Sequence, residues 1–178
     1  METQVLPAER SDLETLRNLF QLYAYDFGDV LPLDVDAAGR FSEPQLAAYW
    51  VDTWRVPYLL RVDGRLGGFA LIHRTAGITH DGEVWDMAEF FVLRKYRRAG
   101  VGTAAAHQVF AMHPGEWEVR QLVANVAAAA FWRKAIASYT DGHFHEERLD
   151  DKRWRGPVQR FTSGAGNMEV PLPAVELP

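Results

Sequence analysis

The sequence predicts a mixed α/β (α+β) sandwich, a mostly antiparallel sheet flanked by helices, in the order β-α-α-β-β-β-α-β-α-β-β. Three observations lead there. Residues 58–62 and 65–73 are apolar runs joined by Asp63 and Gly64, and Asp-Gly is a strong two-residue hairpin signal. A stretch that opens apolar at Phe90, Phe91 and Val92 turns basic at Arg94, Lys95, Arg97 and Arg98, then passes Gly100 and Gly102 into good helix formers up to Met112. A second strand-then-helix pattern follows, with residues 117–124 extended and an Ala-rich helix over 125–134.

The elements can be justified in order. Residues 3–6 read as a short first strand. Ser11 and Glu14 form an S-x-x-E capping pattern. Leu13, Leu16, Phe20 and Tyr23 then recur at helical spacing, so a helix runs to about Tyr25. Gly28 and Pro32 mark a loop that carries Asp26, Asp29, Asp34 and Asp36, with no Lys or Arg between Arg17 and Arg40. Ser42 and Gln45 suggest a second cap, and Leu46, Tyr49, Trp50 and Trp54 line a second helix. In the hairpin, Gly67 and Gly68 mark a bulge or a close approach. Residues 75–81 are a loop and 83–92 the next strand. The helix after Gly102 ends near His113, because Pro114 cannot continue it. Residues 139–149 and 158–162 read as an antiparallel pair. The tail over 165–178, with Pro171, Pro173 and Pro178, is expected to be loose or to pack on an edge.

Composition narrows the function. The chain has 178 residues, 48% of them hydrophobic, enough for one domain with a substantial core. With no cysteine, disulfides, Cys-zinc sites and a Cys nucleophile are excluded. A net charge of −5 and a pI near 5.7 argue against a nucleic-acid partner. No apolar run reaches membrane-spanning length, and the first residues lack the pattern of a signal peptide. No membrane association and a cytoplasmic location are expected, with a homodimer left open.

The strand, basic glycine turn and helix over 89–112 form a layout for holding phosphate. Glycines let the backbone approach the anion, and the unpaired amides and dipole of the helix start face it. A P-loop would need G-x-x-x-x-G-K-S/T, which is absent. Gly100, Gly102 and Ala105 fit the dinucleotide pattern G-x-G-x-x-A. That motif should follow its strand directly and find an acid about 20 residues on; here residues 93–99 intervene, and Val123 and Ala124 stand at that distance. A third pattern, Q/R-x-x-G-x-G/A, is met by residues 97–102. An ordinary glycine-capped junction with a solvated basic patch is the plain alternative.

The third pattern resembles the acetyl-CoA pyrophosphate loop of the GNAT superfamily of N-acetyltransferases. The family's later N-x-x-A-x-x-F-Y/W motif is matched in order and spacing by Asn125, Ala128, Phe131 and Trp132. The two motifs cover about residues 86–136, and the element order is also the family's. The resemblance implies an acetyl-CoA-dependent N-acetyltransferase moving an acetyl group to a primary amine of a small molecule by direct attack, with acetyl-CoA as donor and no metal. It places the pantetheine arm against Phe91 and Val92, and the pyrophosphate against Arg97, Arg98, Ala99, Gly100, Val101, Gly102 and Thr103. Asn125, Phe131 and Trp132 would border the cofactor, with Arg133 or Lys134 near the adenosine-side phosphate.

An aliphatic amine has a pKa of about 10 and must lose a proton before it attacks. Glu89, in an otherwise apolar strand, is the first choice of base, with Asp86 and Glu83 as alternatives and a solvent-facing Glu89 as the plain reading. Many relatives carry a Tyr as general acid where this chain has Trp132. Tyr139 is the nearest downstream hydroxyl and is expected in that role. The four loop aspartates are expected to form an acidic rim that favours a cationic acceptor. His143, His145 and Glu146 could begin a metal site, although an exposed strand explains them. Two other functions remain open: an acyl-CoA sensor of the same fold without turnover, and a nucleotide-linked oxidoreductase.

Overall fold

A computed structural model describes residues 1–79 and 81–164. The expected loose tail, 165–178, lies outside the described residues. The core is one seven-stranded sheet in the order β1-β2-β3-β4-β5-β7-β6. Its strands are β1 (Thr3–Pro7), β2 (Arg55–Val62), β3 (Arg65–Ala76), β4 (Glu83–Val92), β5 (Gly115–Arg120), β6 (His145–Asp150) and β7 (Arg155–Ser163). Every neighbouring pair is antiparallel except β4 with β5. Among the described residues three helices flank it: α1 (Leu13–Phe27), α2 (Val101–Met112) and α3 (Val126–Tyr139). Among the described residues no helix is long and apolar enough to cross a membrane.

The alternation of side chains along the strands divides the core between two faces. Tyr58, Leu60, Ala70, Ile72, Met87 and Val92 pack with α2 and α3. Leu59, Phe69, Leu71 and Phe91 pack with α1 and the turn over Leu46–Trp50. Gln108 of α2 ties down β1, accepting from Val5 N–H at 3.0 Å and donating to Thr3 O at 2.8 Å.

Two irregularities shape the centre of the sheet. In β2–β3 the register slips between Leu60, opposite Gly68, and Arg61, opposite Leu66, which leaves Gly67 as the extra residue of a bulge. In β3–β4, Leu71 faces Glu89 while Ile72 faces Met87, so Ala88 bulges. Glu89 therefore points to the α1 face and Met87 to the α2 face.

Three expectations fail locally. The second helix is a five-residue 3-10 turn, Leu46–Trp50, beginning just after Pro44. Its residues include Tyr49 and Trp50, which lose side-chain freedom in a helix, and Trp54 lies beyond it in an exposed position. The capping box uses Glu9 and Asp12, on a 3-10 turn ahead of α1, in place of Ser11 and Glu14. Tyr139 is the last residue of α3 and not the start of a strand. The left-handed residues Asp141 and Gly142 follow it, and β6 begins at His145.

Candidate active site

β4 and β5 are paired at Trp85–Trp117 and Asp86–Glu118, and the pairing stops there. Residues 87–92 of β4 run on against β3 alone, as far as Val92 opposite Gly68. The two strands splay, and among the described residues one edge of β4 has no strand partner. Glu89, Phe91 and Val92 all lie on this stretch.

Next to the splay stands the glycine turn. Leu93 N–H returns to Gly67 O at 2.8 Å, and a 3-10 turn, Arg94–Tyr96, leads into the loop. Arg98 adopts φ +61°, and Gly100, at φ +81°, is the N-cap of α2. A side chain at Gly100 would meet open space, so the backbone angle is what selects glycine there. Ala104 N–H bonds back to Gly100 O; by helix geometry the amides of Val101, Gly102 and Thr103 precede the first intrahelical bond. A Cβ on Gly102 would sit 3.1 Å from the Phe131 ring, so this glycine lets α2 and α3 close together.

The basic residues of the loop divide their work. Arg97 donates through Nε to Val92 O at 2.7 Å and through its terminal nitrogen to Asp26 of α1. Arg94 joins the same carboxylate at 2.6 Å. Burial pushes Asp26 up, but Arg97 and Arg94 outweigh it and hold the carboxyl below its usual range. Arg97 thus braces the loop. Arg98 is exposed.

On the α3 side, Asn125 caps the helix: its side-chain oxygen accepts from Ala128 N–H at 3.1 Å. Phe131 stacks on Phe90 with centroids 6.0 Å apart, and Trp132 meets Phe90 edge-on at 5.0 Å. Trp132 is 6% exposed and also faces Phe110. These rings wall the splay on the α2–α3 face. Arg133 is committed to Glu146 at 2.7 Å, while Lys134 is exposed.

The opposite, α1-facing side is polar. Glu89 and Tyr23 of α1 influence each other's titration: the Glu89 charge adds to the burial that pushes the Tyr23 phenol up. Burial lifts the Glu89 carboxyl above its ordinary pKa; the Tyr23 phenol opposes that rise and the Asp86 charge adds to it. Asp86 is 1% exposed. It takes two bonds from Arg120, at 3.1 and 2.6 Å, and lies 3.3 Å from His73 Nε2. Burial pulls the His73 pKa down against the attraction of Asp86, with Arg120 and Arg55 adding to the fall. A carboxylate already matched by a guanidinium is a structural anchor. Glu89, with a raised pKa and a place on the splayed stretch of β4, is the better proton acceptor of the two. Glu83 is exposed and pairs with Arg74 at 3.3 Å, at the far end of β4.

A family model described as the acetyltransferase (GNAT) family matches residues 13–136. The chain belongs to that family. Comparison with curated proteins gave no match. Among solved structures, it is similar to an acetyltransferase from Thermus thermophilus, with 16% identity, 90% of this chain and 95% of that one covered, and a TM-score of 0.60. It is also similar to the ribosomal-protein-S18-alanine N-acetyltransferase from Escherichia coli, at 15% identity, 95% and 99% coverage and a TM-score of 0.54. A third similar structure is an aminoglycoside acetyltransferase from an uncultured soil metagenomic sample in complex with sisomicin, at 13% identity, 84% and 93% coverage and a TM-score of 0.56. At these identities the likeness is one of fold.

The structure of this GNAT family member separates some of the expected residues. Tyr139 does not join Glu89. Its ring packs on Phe110, Phe161 and His107, and its hydroxyl meets Ser163 Oγ at 2.7 Å. Ser163 pairs with Gly115, the first residue of β5, at the end of the sheet away from the splay. The acidic rim also shrinks. Asp26 is held by two arginines, and Asp36 accepts from the Ala38 and Arg40 amides, both at 2.9 Å, and lies 4.0 Å from Arg40 Nε. Asp29 and Asp34 remain exposed. Glu146 is taken by Arg133 and by Gln159 Nε2 at 2.8 Å, and His143 precedes β6, which begins at His145. Tyr23, placed on the core face of α1 by its spacing, packs on Phe69 of β3 and Phe91 of β4, contacts that emerge only once α1 lies on the sheet.

Proposed function

We propose that this GNAT family member is an acetyl-CoA-dependent N-acetyltransferase that moves an acetyl group to a primary amine of a small molecule by direct attack, with residues 1–178 acting as one domain. One observation carries the reading. The splayed edge of β4 lies between a helix start set by Gly100 and a half-buried carboxylate, Glu89, on the other face. The residues present fit an acyl-CoA: Phe91 and Val92 offer strand backbone to an extended amide chain, and the amides over 98–103 offer donors to a pyrophosphate. Phe131 and Trp132 offer an apolar wall. Lys134 lies within α3 as an exposed cation for the adenosine side.

Acetyl-CoA, the family's donor, supplies a carbonyl carbon activated by sulfur. Glu89 takes the proton of the incoming ammonium, directly or through water, and the freed lone pair forms the C–N bond. Unpaired amides on the splayed edge face the developing oxyanion. The adduct's nitrogen releases its remaining surplus proton to solvent, the C–S bond breaks, and the thiolate takes a proton from solvent, because the indole N–H of Trp132 is too weak an acid to give one. The acceptor approaches on the α1 face, where exposed Asp29 and Asp34 favour a cationic molecule.

The test is thiol release from acetyl-CoA with a panel of polyamines, aminoglycosides and amino-acid amines. Saturable release with at least one amine, strongly lowered in Glu89→Gln, supports the reading. The second reading, an acyl-CoA sensor without turnover, is favoured by Trp132 in the usual Tyr place. It predicts thermal stabilisation by acetyl-CoA and no release with any amine.

A further inference from the structure

On the α1-facing side of the sheet a row of polar residues crosses four strands just before the splay. Arg55 of β2 pairs with His73 of β3, His73 with Asp86 of β4, and Asp86 with Glu118 of β5. Directly opposed residues share a face. His73 stands two residues after Leu71, which packs with α1, so the row lies on that side. Arg120 follows Glu118 by two residues on β5. Glu89 follows Asp86 on β4, with the bulge at Ala88 between them. β4 and β5 run parallel, so both chains advance together. Glu89 and Arg120 therefore flank the splay from opposite strands, one row, about 7 Å, beyond His73 and Asp86.

Both arginines of this region are held in place. Arg120 donates through Nε and Nη2 to Asp86, and its guanidinium lies 4.9 Å from the centre of the Trp154 ring. Arg55 lies over Trp54 at 4.3 Å and over Tyr49 at 5.4 Å. Its Nε stands 3.1 Å from Asp52 Oδ2, in a geometry that makes no hydrogen bond. A guanidinium carries five N–H donors. Nη1 of Arg120 and the terminal nitrogens of Arg55 hydrogen-bond to no protein acceptor among the described residues. Each side chain is 24% exposed, so these free edges reach solvent. Planar cations fixed on aromatic rings, partly desolvated and with donors to spare, are matched to a carboxylate.

We propose that the acceptor is a free amino acid: Glu89 meets its ammonium, and the free edges of Arg120 and Arg55 hold its carboxylate. This rests on the reading of the splay as the acetyl-transfer site and of Glu89 as its base. Asp86 serves the arrangement by fixing the Arg120 fork from behind. Exposed Asp29 and Asp34 act on the approach of the ammonium end, whereas the arginines act on the bound molecule. A polyamine or an aminoglycoside has no anionic group to offer them.

The experiment uses the full chain and measures thiol release from acetyl-CoA with the standard amino acids, their carboxamides, polyamines and aminoglycosides. The best acceptor should be an amino acid, with kcat/KM at least roughly tenfold above that of its own carboxamide, a typical effect of hydrogen bonds to a charged group. Arg120→Lys keeps a cation beside Asp86 and loses the fork; Arg55→Gln leaves Asp86 untouched. In each, the acid-over-amide ratio should fall toward one. A merely structural role would lower acid and amide alike and leave the ratio where it was. If Arg120→Lys does not fold, Arg55→Gln carries the test. A best acceptor without a carboxylate, an amino acid no better than its amide, or an unchanged ratio in folded R55Q overturns the proposal. If no amine supports release, calorimetry of the same acids and amides in the presence of saturating CoA decides. A preference for the acid that is lost in R55Q keeps the carboxylate site and rejects the transferase, and no preference overturns the site.

Discussion

Replacing Gly68 by Ala tests whether the edge of β4 is set by β3. A Cβ at Gly68 would stand 1.9 Å from Phe91 O, and contacts under 3.0 Å do not occur. The strands must therefore part by at least 1.1 Å, the difference of those two distances, where Gly68 faces Val92 and Phe69 faces Phe91. Overpacking of this kind costs about 1–3 kcal/mol. Losing on the order of one ladder hydrogen bond adds about 1 kcal/mol. A total of ~3 kcal/mol lowers Tm by roughly 6–12 °C in a chain of this size. Since Phe91 and Val92 are the backbone proposed to meet the donor, acetyl-CoA affinity should also weaken at least tenfold, about 1.4 kcal/mol. Calorimetric titration below the melting range separates the two effects. A folded G68A protein with wild-type melting and wild-type affinity would falsify the claim that this contact places the strand.

Three further outcomes are expected. Gly102→Val puts a branched side chain where a Cβ already meets Phe131 at 3.1 Å; acetyl-CoA should bind at least tenfold more weakly, about 1.4 kcal/mol, and an unchanged Kd in a folded variant rejects the loop as the donor site. Glu89→Gln should lower kcat at neutral pH and leave acetyl-CoA affinity nearly intact. It should also change the pH dependence of stability: the wild-type carboxyl has a raised pKa in the folded state, so the folded form keeps a proton that the unfolded chain has lost, and stability falls as pH rises through that window. Glu89→Gln removes the loss, so its Tm advantage should grow above the usual carboxylate range and vanish below about pH 4; equal Tm values at pH 8 would count against the buried charge. Tyr139→Phe should cost about 1 kcal/mol through its bond to Ser163 and leave kcat alone, whereas a drop of tenfold or more would restore it as the acid.

What the sequence made legible was local. The Asp63–Gly64 turn, the bulge at Gly67, the glycine start of α2 and the stop at Pro114 each follow from one or two residues whose backbone preferences admit few alternatives. The order of elements followed from these, apart from the short segment after Ser42, whose capping pattern matched a helix but whose aromatic residues formed a 3-10 turn. The candidate site can be read where it is built from contiguous chain, over 89–103 and 125–134. It was not legible where it depends on contacts across the sheet. Asp26 read as one of four loose aspartates, yet it pairs with Arg94 and Arg97 far along the chain. Arg97 is expected from the sequence beside the pyrophosphate, and its bonds to Val92 O and Asp26 make it a brace of the loop. Tyr139 was chosen for closeness in sequence, and one continued helix carries it to the other end of the sheet, although Asp141 and Gly142 already signal where that helix must stop.

The short ladder between β4 and β5 has a mechanical meaning. Strands β1 to β4 form one antiparallel plate and β5 to β7 another. Two residue pairs join them within the sheet, and α2 and α3 pack across the seam. A molecule lying in the splay and bonded to both plates acts there as a strand would. Its affinity and the stiffness of the sheet then become linked quantities. At a free ligand concentration of about 100 times Kd, such a molecule adds about 2.7 kcal/mol to the stability of the fold, and the slowing of amide exchange in β5 should report its arrival as directly as any change in β4.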